Sequence, residues 1–207
     1  MKTLLRPRVP LLRQDQRGLS FIELMVALAI LGFAMAAMAP DVTVWMRNLA
    51  VRNAGEALRA GVERARMEAL RRNTNVTFWL VSDSGKVLSN SCALSNTGPS
   101  WVVSIASPNG KCAAAPSTTE DPMLIDSWSA ADGARGVQVE AMDSNSTATS
   151  SVTFNSLGQV LTTGTPLARI AISHSTPGTR SLRVQVDAGG SIRMCDPNVE
   201  ASDPRKC

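Results

Sequence analysis

The sequence contains a single histidine, His174, and none of the common catalytic motifs. It lacks the G-x-S-x-G of α/β-hydrolases, the phosphate-binding P-loop and the zinc-binding H-E-x-x-H. A hydrolytic triad would need His174 as its base, and the neighbouring sequence offers no convincing nucleophile for it. The adjacent carboxylates Glu120 and Asp121 lie in a proline-flanked stretch that is typical of a solvated turn. We therefore interpret the chain as non-enzymatic, with no cofactor and no small-molecule substrate.

Cysteines are few, and no two of the four are spaced as C-x-x-C. With only one histidine as well, this pattern argues against a zinc site, and we predict no bound metal. Four cysteines allow three disulfide connectivities. Closure of short loops favours Cys92–Cys112 and Cys195–Cys207. Such disulfides fit an oxidising compartment outside the cytoplasm.

The formal net charge of +4 lies in the first 18 residues. This leader has five basic side chains and one acidic side chain, which leaves sixteen of each sign in the rest of the chain. Positive charge ahead of a first apolar segment keeps that end in the cytoplasm. The charge therefore indicates membrane topology, and the part that follows the apolar segment is expected outside the inner membrane.

The apolar segment runs from residue 19 to residue 39 and has one ionisable residue, Glu23. Its length matches the roughly 20 residues that a helix needs to cross a bilayer. A carboxylate at mid-membrane costs about 2.5–3.5 kcal/mol on insertion scales, so its presence indicates a function. If the chain is cut after Gly18, the new amine of Leu19 can neutralise Glu23 of a neighbouring copy.

Gly18, Glu23 and Pro40, with the apolar segment, resemble the class III signal of type IV pilins and type II secretion pseudopilins. Two residues depart from the usual pattern, since Leu19 replaces Phe and Ser20 replaces Thr. The resemblance implies that a prepilin peptidase cuts between Gly18 and Leu19 and methylates Leu19. It also implies that Glu23 guides assembly into a filament and that Pro40 kinks the helix.

Two other interpretations of this segment stay open. An ordinary secretory signal has a shorter apolar region, and a small-residue cleavage site at 37–39 would be followed unfavourably by Pro40. A simple signal anchor explains the basic leader and the apolar segment. It does not explain Gly18 followed by Glu23.

Residues 40–72 predict an amphipathic continuation of the helix. Apolar residues recur three or four positions apart on one face: Val51, Ala54, Leu58, Val62, Ala65 and Ala69. Pairs of opposite charge four positions apart support the other faces: Arg52–Glu56, Arg59–Glu63 and Arg64–Glu68. The apolar face needs a partner, which the rest of the chain can supply.

Short β-type segments alternate with turn signals after residue 73. The predicted strands are 76–81, 101–105, 123–126, 136–141, 151–155, 159–163, 167–173, 180–187 and 190–194. Residues 155–158 and 187–190 predict hairpin turns. The expected organisation is a leader (1–18), a transmembrane helix (19–39), an amphipathic helix (40–72) and a β-rich head (73–207). The fold class is α+β, with the long helix packed on an antiparallel, sandwich-like head.

The segment from Gly189 to Pro197 resembles the closing motif of the GspH/FimT family of minor pilins and pseudopilins. The resemblance implies a single-pass inner-membrane subunit with a periplasmic head. Such a subunit then joins a pilus or pseudopilus near its tip, beside other minor pilins and the major pilin. The Arg-Met-Cys-Asp-Pro ending favours the type IV pilus branch, and a pseudopilin of type II secretion is the alternative.

One branch of that family, the FimT proteins, binds DNA through a C-terminal Gly-Arg-x-Arg pattern. Only Arg193 matches here, because a serine occupies the position of the first arginine. Arg180 and Arg183 lie on a neighbouring predicted strand and complete a candidate DNA-binding group, since phosphate binding grows with the number of cations. The alternative is that Arg193 pairs locally with Asp187 or Asp196.

Overall fold

A computed structural model describes residues 18, 20–83 and 85–207, with the side chains of 37–41 excepted. One helix, α1, spans Phe21–Arg72. Eight strands follow it: β1 Val76–Val81, β2 Ser100–Ser104, β3 Leu124–Trp128, β4 Val137–Met142, β5 Ser151–Phe154, β6 Arg169–His174, β7 Leu182–Val186 and β8 Ile192–Cys195. The chain forms two units, Met1–Asp41 and Val42–Cys207. The predicted α+β class, with one long helix followed by antiparallel strands, is confirmed.

The strands form two antiparallel four-stranded sheets, in the orders β3-β2-β1-β5 and β4-β6-β7-β8. In the second sheet, buried and more exposed side chains alternate along β6 and β7. This is the pattern of a sheet with one face on a core and one face towards solvent. The outward side chains of this sheet do not contribute to the core and are therefore available for contacts with a partner.

The apolar face predicted for the helix is its buried face. Val51, Ala54, Leu58, Val62, Ala65 and Ala69 are at most 1% exposed. They form one hydrophobic cluster with inward residues of both sheets, among them Phe78 of β1 and Ile172 of β6. The buried face of the helix thus covers inward residues of both sheets, and the three elements share one hydrophobic core.

The first sheet is buried on its outer face as well. A second cluster there joins Val81 and Val102 to Leu88 and to the disulfide between Cys92 and Cys112. The disulfide loop lies over β1 and β2, which explains why nearly every residue of these two strands is buried. A strand that is covered on both faces has no need of alternation.

The predicted strand at 159–163 is wrong. Only Val160 pairs there, through a single bridge to Phe154 that follows the predicted turn at 155–158. The chain then leaves the sheet at Gly164, which has a φ of +84°, and at Pro166, which has no N–H to donate. The other predicted strands occur within a few residues of their expected bounds.

Glu68 was expected on a solvated face of the helix, but it is buried. The surface pairs Arg52–Glu56 and Arg59–Glu63 form as predicted, with N–O distances of 2.8 Å. Glu68, however, is 4% exposed and binds Arg71 and Arg72 at 2.7 and 2.8 Å, with Arg64 at 3.7 Å. The two cations of the last helical turn therefore neutralise a buried carboxylate.

Candidate functional site

The N-terminal candidate site begins at Gly18, which is exposed and has no other described residue within 4 Å of where a Cβ would lie. Leu19, the predicted methylation site, lies outside the described residues. The first turn of α1 contains Glu23, and the backbone N–H of Leu24 donates to the carbonyl of Ser20 at 3.1 Å. A carboxylate in a first helical turn is stabilised by the helix dipole. Glu23 is exposed and is therefore accessible to a partner.

The side chains of residues 20–36 are all exposed, on every side of the helix. They include large apolar groups such as Phe21, Ile22 and Phe33, which are 74%, 71% and 79% exposed. A helix that is apolar on every side is normally covered by lipid or by other apolar helices. Within the described part of the chain, no helix meets both the length and the apolarity expected of a membrane span. The transmembrane helix at 19–39 and the kink at Pro40 stay predictions.

A second candidate site lies on the outward face of the sheet β4-β6-β7-β8. The strand register places Arg169 opposite Gln185, and Gln185 opposite Arg193. Arg183 lies two residues from Gln185 on the same strand, hence on the same face. The outward face of β6, β7 and β8 therefore carries three guanidinium groups side by side. We call Arg169, Arg183 and Arg193 the arginine face.

The arginine face is electrostatically unpaired. Within the described residues, no carboxylate lies within 4.0 Å of any of its three guanidinium groups. The buried atoms Nε of Arg183 and Oε1 of Gln185 also have no hydrogen-bond partner among these residues. Arg193 and Arg169 border a cleft of about 380 Å³ that also has Asp143 and Asp187 in its lining. Buried polar groups are nearly always satisfied, so this surface is suited to an anionic or hydrogen-bonding partner.

Arg180 does not belong to the arginine face. Its Nε donates to the buried carboxylate of Asp196 at 2.7 Å, and its backbone N–H donates to Oδ1 of Asn48 on α1. Burial works against ionisation of Asp196, but the backbone N–H of Asn198 and the guanidinium of Arg180 outweigh it and lower the pKa of that carboxyl. Arg180 thus forms a structural ion pair with Asp196. The alternative in which Arg193 pairs with Asp187 or Asp196 does not occur among the described residues, and Arg180 occupies the place at Asp196.

Arg169 is a member of the arginine face that the sequence reasoning missed. It lies fourteen residues before Arg183, at the start of a strand, and joins the others only through the register of β6 against β7. Its Nη2 contacts Sδ of Met142 and the hydroxyl of Ser146. The signal that could have located it is the alternation of polar and apolar residues at the start of β6, where Ile170 and Ile172 are buried.

The cysteines form the two disulfides that loop closure favours. Cys92 is bonded to Cys112 and Cys195 to Cys207, and none is free. The thiolates that a zinc site would need are therefore engaged. Across residues 18, 20–83 and 85–207, no cluster of three or more His, Cys, Asp or Glu side chains is arranged to hold a metal ion.

His174 lies at the end of β6, and its Nδ1 accepts a hydrogen bond from the backbone N–H of Thr176 at 3.0 Å. Its ring packs against Gly136, where a Cβ would lie 2.6 Å from Nε2. Asp121, the second carboxylate considered above, pairs with Lys111. These contacts give both residues structural roles.

Comparison with known proteins gives two family matches. Residues 54–190 match the family model described as "Type II transport protein GspH", and residues 13–39 match the "Prokaryotic N-terminal methylation motif". The first covers most of α1 within the second unit and all strands except β8. No protein with a curated description matches the sequence.

Two solved structures resemble the chain, both of the type IV minor pilin FimU of Pseudomonas aeruginosa. The crystal in space group P21 gives 13% identity over 74% of this chain and 93% of the chain in that crystal, with a TM-score of 0.45. The crystal in space group P65 gives 12% identity over 73% and 98%, with a TM-score of 0.44.

Proposed function

The chain belongs to the GspH family and is a minor pilin or pseudopilin, and we propose that it helps to initiate or assemble a type IV pilus. It acts as a non-enzymatic structural subunit. Its α1 helix joins the filament, and its β-rich head contacts other minor pilins and the major pilin. The prepilin peptidase is its processing partner.

One observation carries this proposal: the methylation motif covers the same residues as the exposed apolar part of α1. Cleavage after Gly18 would free the amine of Leu19 only four residues from Glu23. Inside a bundle of apolar helices, an unpaired carboxylate is costly, and a neighbour's N-terminal ammonium is the natural counter-ion. Pairing would then select helices in one register, and Pro40 would supply a bend in the helix.

We place the subunit first in the inner membrane, as a single-pass protein with a periplasmic head. The basic leader, the apolar segment at 19–39 and the family match support this topology. Both disulfides lie in the head and suit the oxidising periplasm. The subunit then enters the filament, in low copy and near the tip.

The proposal is tested by the mass of the N-terminal peptide from membranes of the native host. We expect a peptide that begins at methylated Leu19. A chain that still begins at Met1, or that is cut near residue 39, would return the protein to the class of anchored or secreted proteins.

Filament incorporation gives a second, independent test. Glu23→Ala should insert into membranes as the wild type does but be missing from sheared filaments. Glu23→Asp is the matched control, because it keeps the carboxylate and should retain part of the incorporation. If Glu23→Ala enters filaments at the wild-type level, the assembly role of Glu23 is excluded.

Service in a type II secretion pseudopilus is the nearest alternative, and the description of the matching family favours it. The Arg-Met-Cys-Asp-Pro ending at 193–197 supports the pilus branch instead. Deletion of the gene separates them: loss of surface pili with normal export supports our proposal, and loss of export with normal pili supports the alternative.

DNA binding is a second candidate function, favoured by the arginine face. Three unpaired guanidinium groups on adjacent strands can contact successive phosphates of a duplex. The head as a whole argues against strong binding, because residues 73–207 have nine basic and eleven acidic side chains. We therefore propose at most a local, salt-sensitive contact with DNA.

A further inference from the structure

A second basic surface, which shares no residue with the arginine face, lies beside the part of α1 that belongs to the second unit. It is a cleft of about 430 Å³ between helix residues 45–53, the loop 131–135 and His174. Trp45, Met46 and Leu49 form its apolar wall and are 64%, 60% and 41% exposed. We call it the Trp45 cleft.

The Trp45 cleft has a one-sided charge. Its lining includes Arg47 and Arg135 but no carboxylate; Asp132, in the same loop as Arg135, is exposed and does not line the cleft. Neither arginine makes an ion pair with any described residue, whereas Arg180 and Arg205, on the other flank of the helix, are bound to Asp196 and Asp203. An apolar wall next to two unneutralised guanidinium groups matches a ligand with an apolar body and an anionic end.

We propose that the Trp45 cleft holds an anionic phospholipid, with the phosphate at Arg47 and Arg135 and the glycerol end of an acyl chain against Trp45 and Met46. This inference rests on the proposed membrane anchoring. Trp45 follows the apolar segment 19–39 by six residues, and tryptophan is enriched where membrane-spanning segments meet water. Arginines near such a surface are attracted by anionic headgroups.

Two further features are consistent with a lipid as the occupant. Val42 and Val44 are also exposed, so the apolar surface extends from the cleft toward the start of the second unit. Arg47 belongs to α1, whereas Arg135 belongs to a loop of the head that is distant in sequence. The fold of the second unit therefore brings the two cations to one cleft. A cleft that joins helix and head in this way would fix the head against the bilayer before assembly.

The test uses the full chain in phosphatidylcholine liposomes that contain increasing fractions of brominated phosphatidylglycerol. Bromine quenches nearby tryptophan, and the emission lost in Trp45→Phe identifies the signal of Trp45 among the four tryptophans. Brominated phosphatidylcholine at the same fraction measures simple proximity to the bilayer. We expect stronger quenching by the brominated phosphatidylglycerol, weakened by added salt.

Substitutions then assign the preference to the cleft. Arg47→Gln and Arg135→Gln should each raise the fraction of brominated phosphatidylglycerol needed for half-maximal quenching about fivefold. Arg59→Gln, which removes an exposed arginine of α1 that lies outside both the Trp45 cleft and the arginine face, is the matched control and should leave that fraction unchanged. Equal effects of Arg59→Gln and Arg135→Gln would overturn the site.

Flotation of the same liposomes separates the two proposals. If the chain floats with the vesicles but Trp45 is quenched equally by both brominated lipids, the anchor stands and the anionic lipid site is wrong. If Trp45 is quenched by neither lipid in floating vesicles, the cleft faces away from the bilayer and is left to a protein partner, which also overturns the inference. A chain that does not float contradicts the membrane anchoring and the lipid site together.

Discussion

The backbone of Gly61 in α1 lies directly against the indole ring of Trp101 in β2. A Cβ added to Gly61 would lie 2.6 Å from Cε2 of Trp101 and 2.9 Å from Cε2 of Phe78. Both rings belong to the core, and their centroids are 6.0 Å apart. The absence of a side chain at this position therefore sets how closely the helix approaches the first sheet.

Substitution of Gly61 should disturb this packing. We expect Gly61→Val to lower the free energy of unfolding by about 1–3 kcal/mol, because added volume in a packed core forces the rings out of place. Ala60→Val is the matched control on the same helix, since Ala60 is exposed, and it should cost less than about 0.7 kcal/mol. Denaturation of the full chain in detergent, followed by tryptophan fluorescence, measures the difference. Equal losses in the two variants would contradict the close approach.

The buried carboxylate of Glu68 should make stability depend on pH in acid. The hydrogen bond from Arg71, as the largest cause, lowers the pKa of Glu68 from its usual 4.5 to about 2. Because folding lowers this pKa, the stabilisation is complete above pH about 4.5 and is lost as the pH falls towards 2. Its size is at most about 3 kcal/mol, and less to the extent that solvent screens the exposed side of Arg71.

Glu68→Gln tests this account. The variant should be less stable than the wild type at pH 7, and the two should become equally stable near pH 2. Glu63→Gln, which breaks the exposed pair with Arg59, should change stability by less than about 1 kcal/mol. A stability difference for Glu68→Gln that does not change between pH 7 and pH 2 would refute the ionised, arginine-bound state.

The Cys92–Cys112 disulfide should stabilise the head through the loop that it closes. The twenty-residue separation corresponds to about 3 kcal/mol in the loop-entropy model. The double variant Cys92→Ala, Cys112→Ala should lose about this amount and also uncover Val81 and Val102 on the outer face of β1 and β2. Thermal unfolding measures the loss, and hydrogen exchange should show weaker protection in β1 and β2 but not in β6 and β7. Uniform loss of protection in both sheets would contradict a local cover.

The arginine face should determine any binding of DNA by the head. If the face contacts phosphates, Arg169→Ala, Arg183→Ala and Arg193→Ala should each weaken the binding of a labelled duplex at low salt. Each should also reduce the slope of log affinity against log salt by about 0.9. Arg59→Ala, on α1 and paired with Glu63, is the control and should have no effect. No shift of the duplex by the wild type at low salt would exclude this second function.

Much of the fold was predictable because its signals are local. The spacing of Val51, Leu58 and Val62 defines a helical face whatever the partner, and these residues are buried as expected. The turn at 187–190 connects β7 to β8, where Gly190 takes a φ of +82° that favours glycine. The predicted strand at 159–163 is wrong although its composition is of the β type, because Gly164 at positive φ and Pro166 without an N–H end the pairing after Val160.

The candidate sites were less predictable because they depend on contacts between distant residues. Arg180 and Arg183 are equally basic and three residues apart, yet Arg180 binds the buried Asp196 and only Arg183 joins the outward face. Glu68 followed the same pattern as the surface glutamates of the helix. Its burial depends on where the end of α1 meets the sheets, and the helix sequence does not contain that information.

Composition and spacing along the chain were enough to identify the buried face of the helix and the two disulfides, and they predict the leader and the apolar segment with Glu23. Which charges are paired and which remain available depends on the fold. Strand register brought Arg169 beside Arg183 and Arg193, and the fold brought Arg135 to the cleft that contains Arg47. The physical reason is that a charge acquires its role from the dielectric and the partners around it, and only the folded chain supplies both.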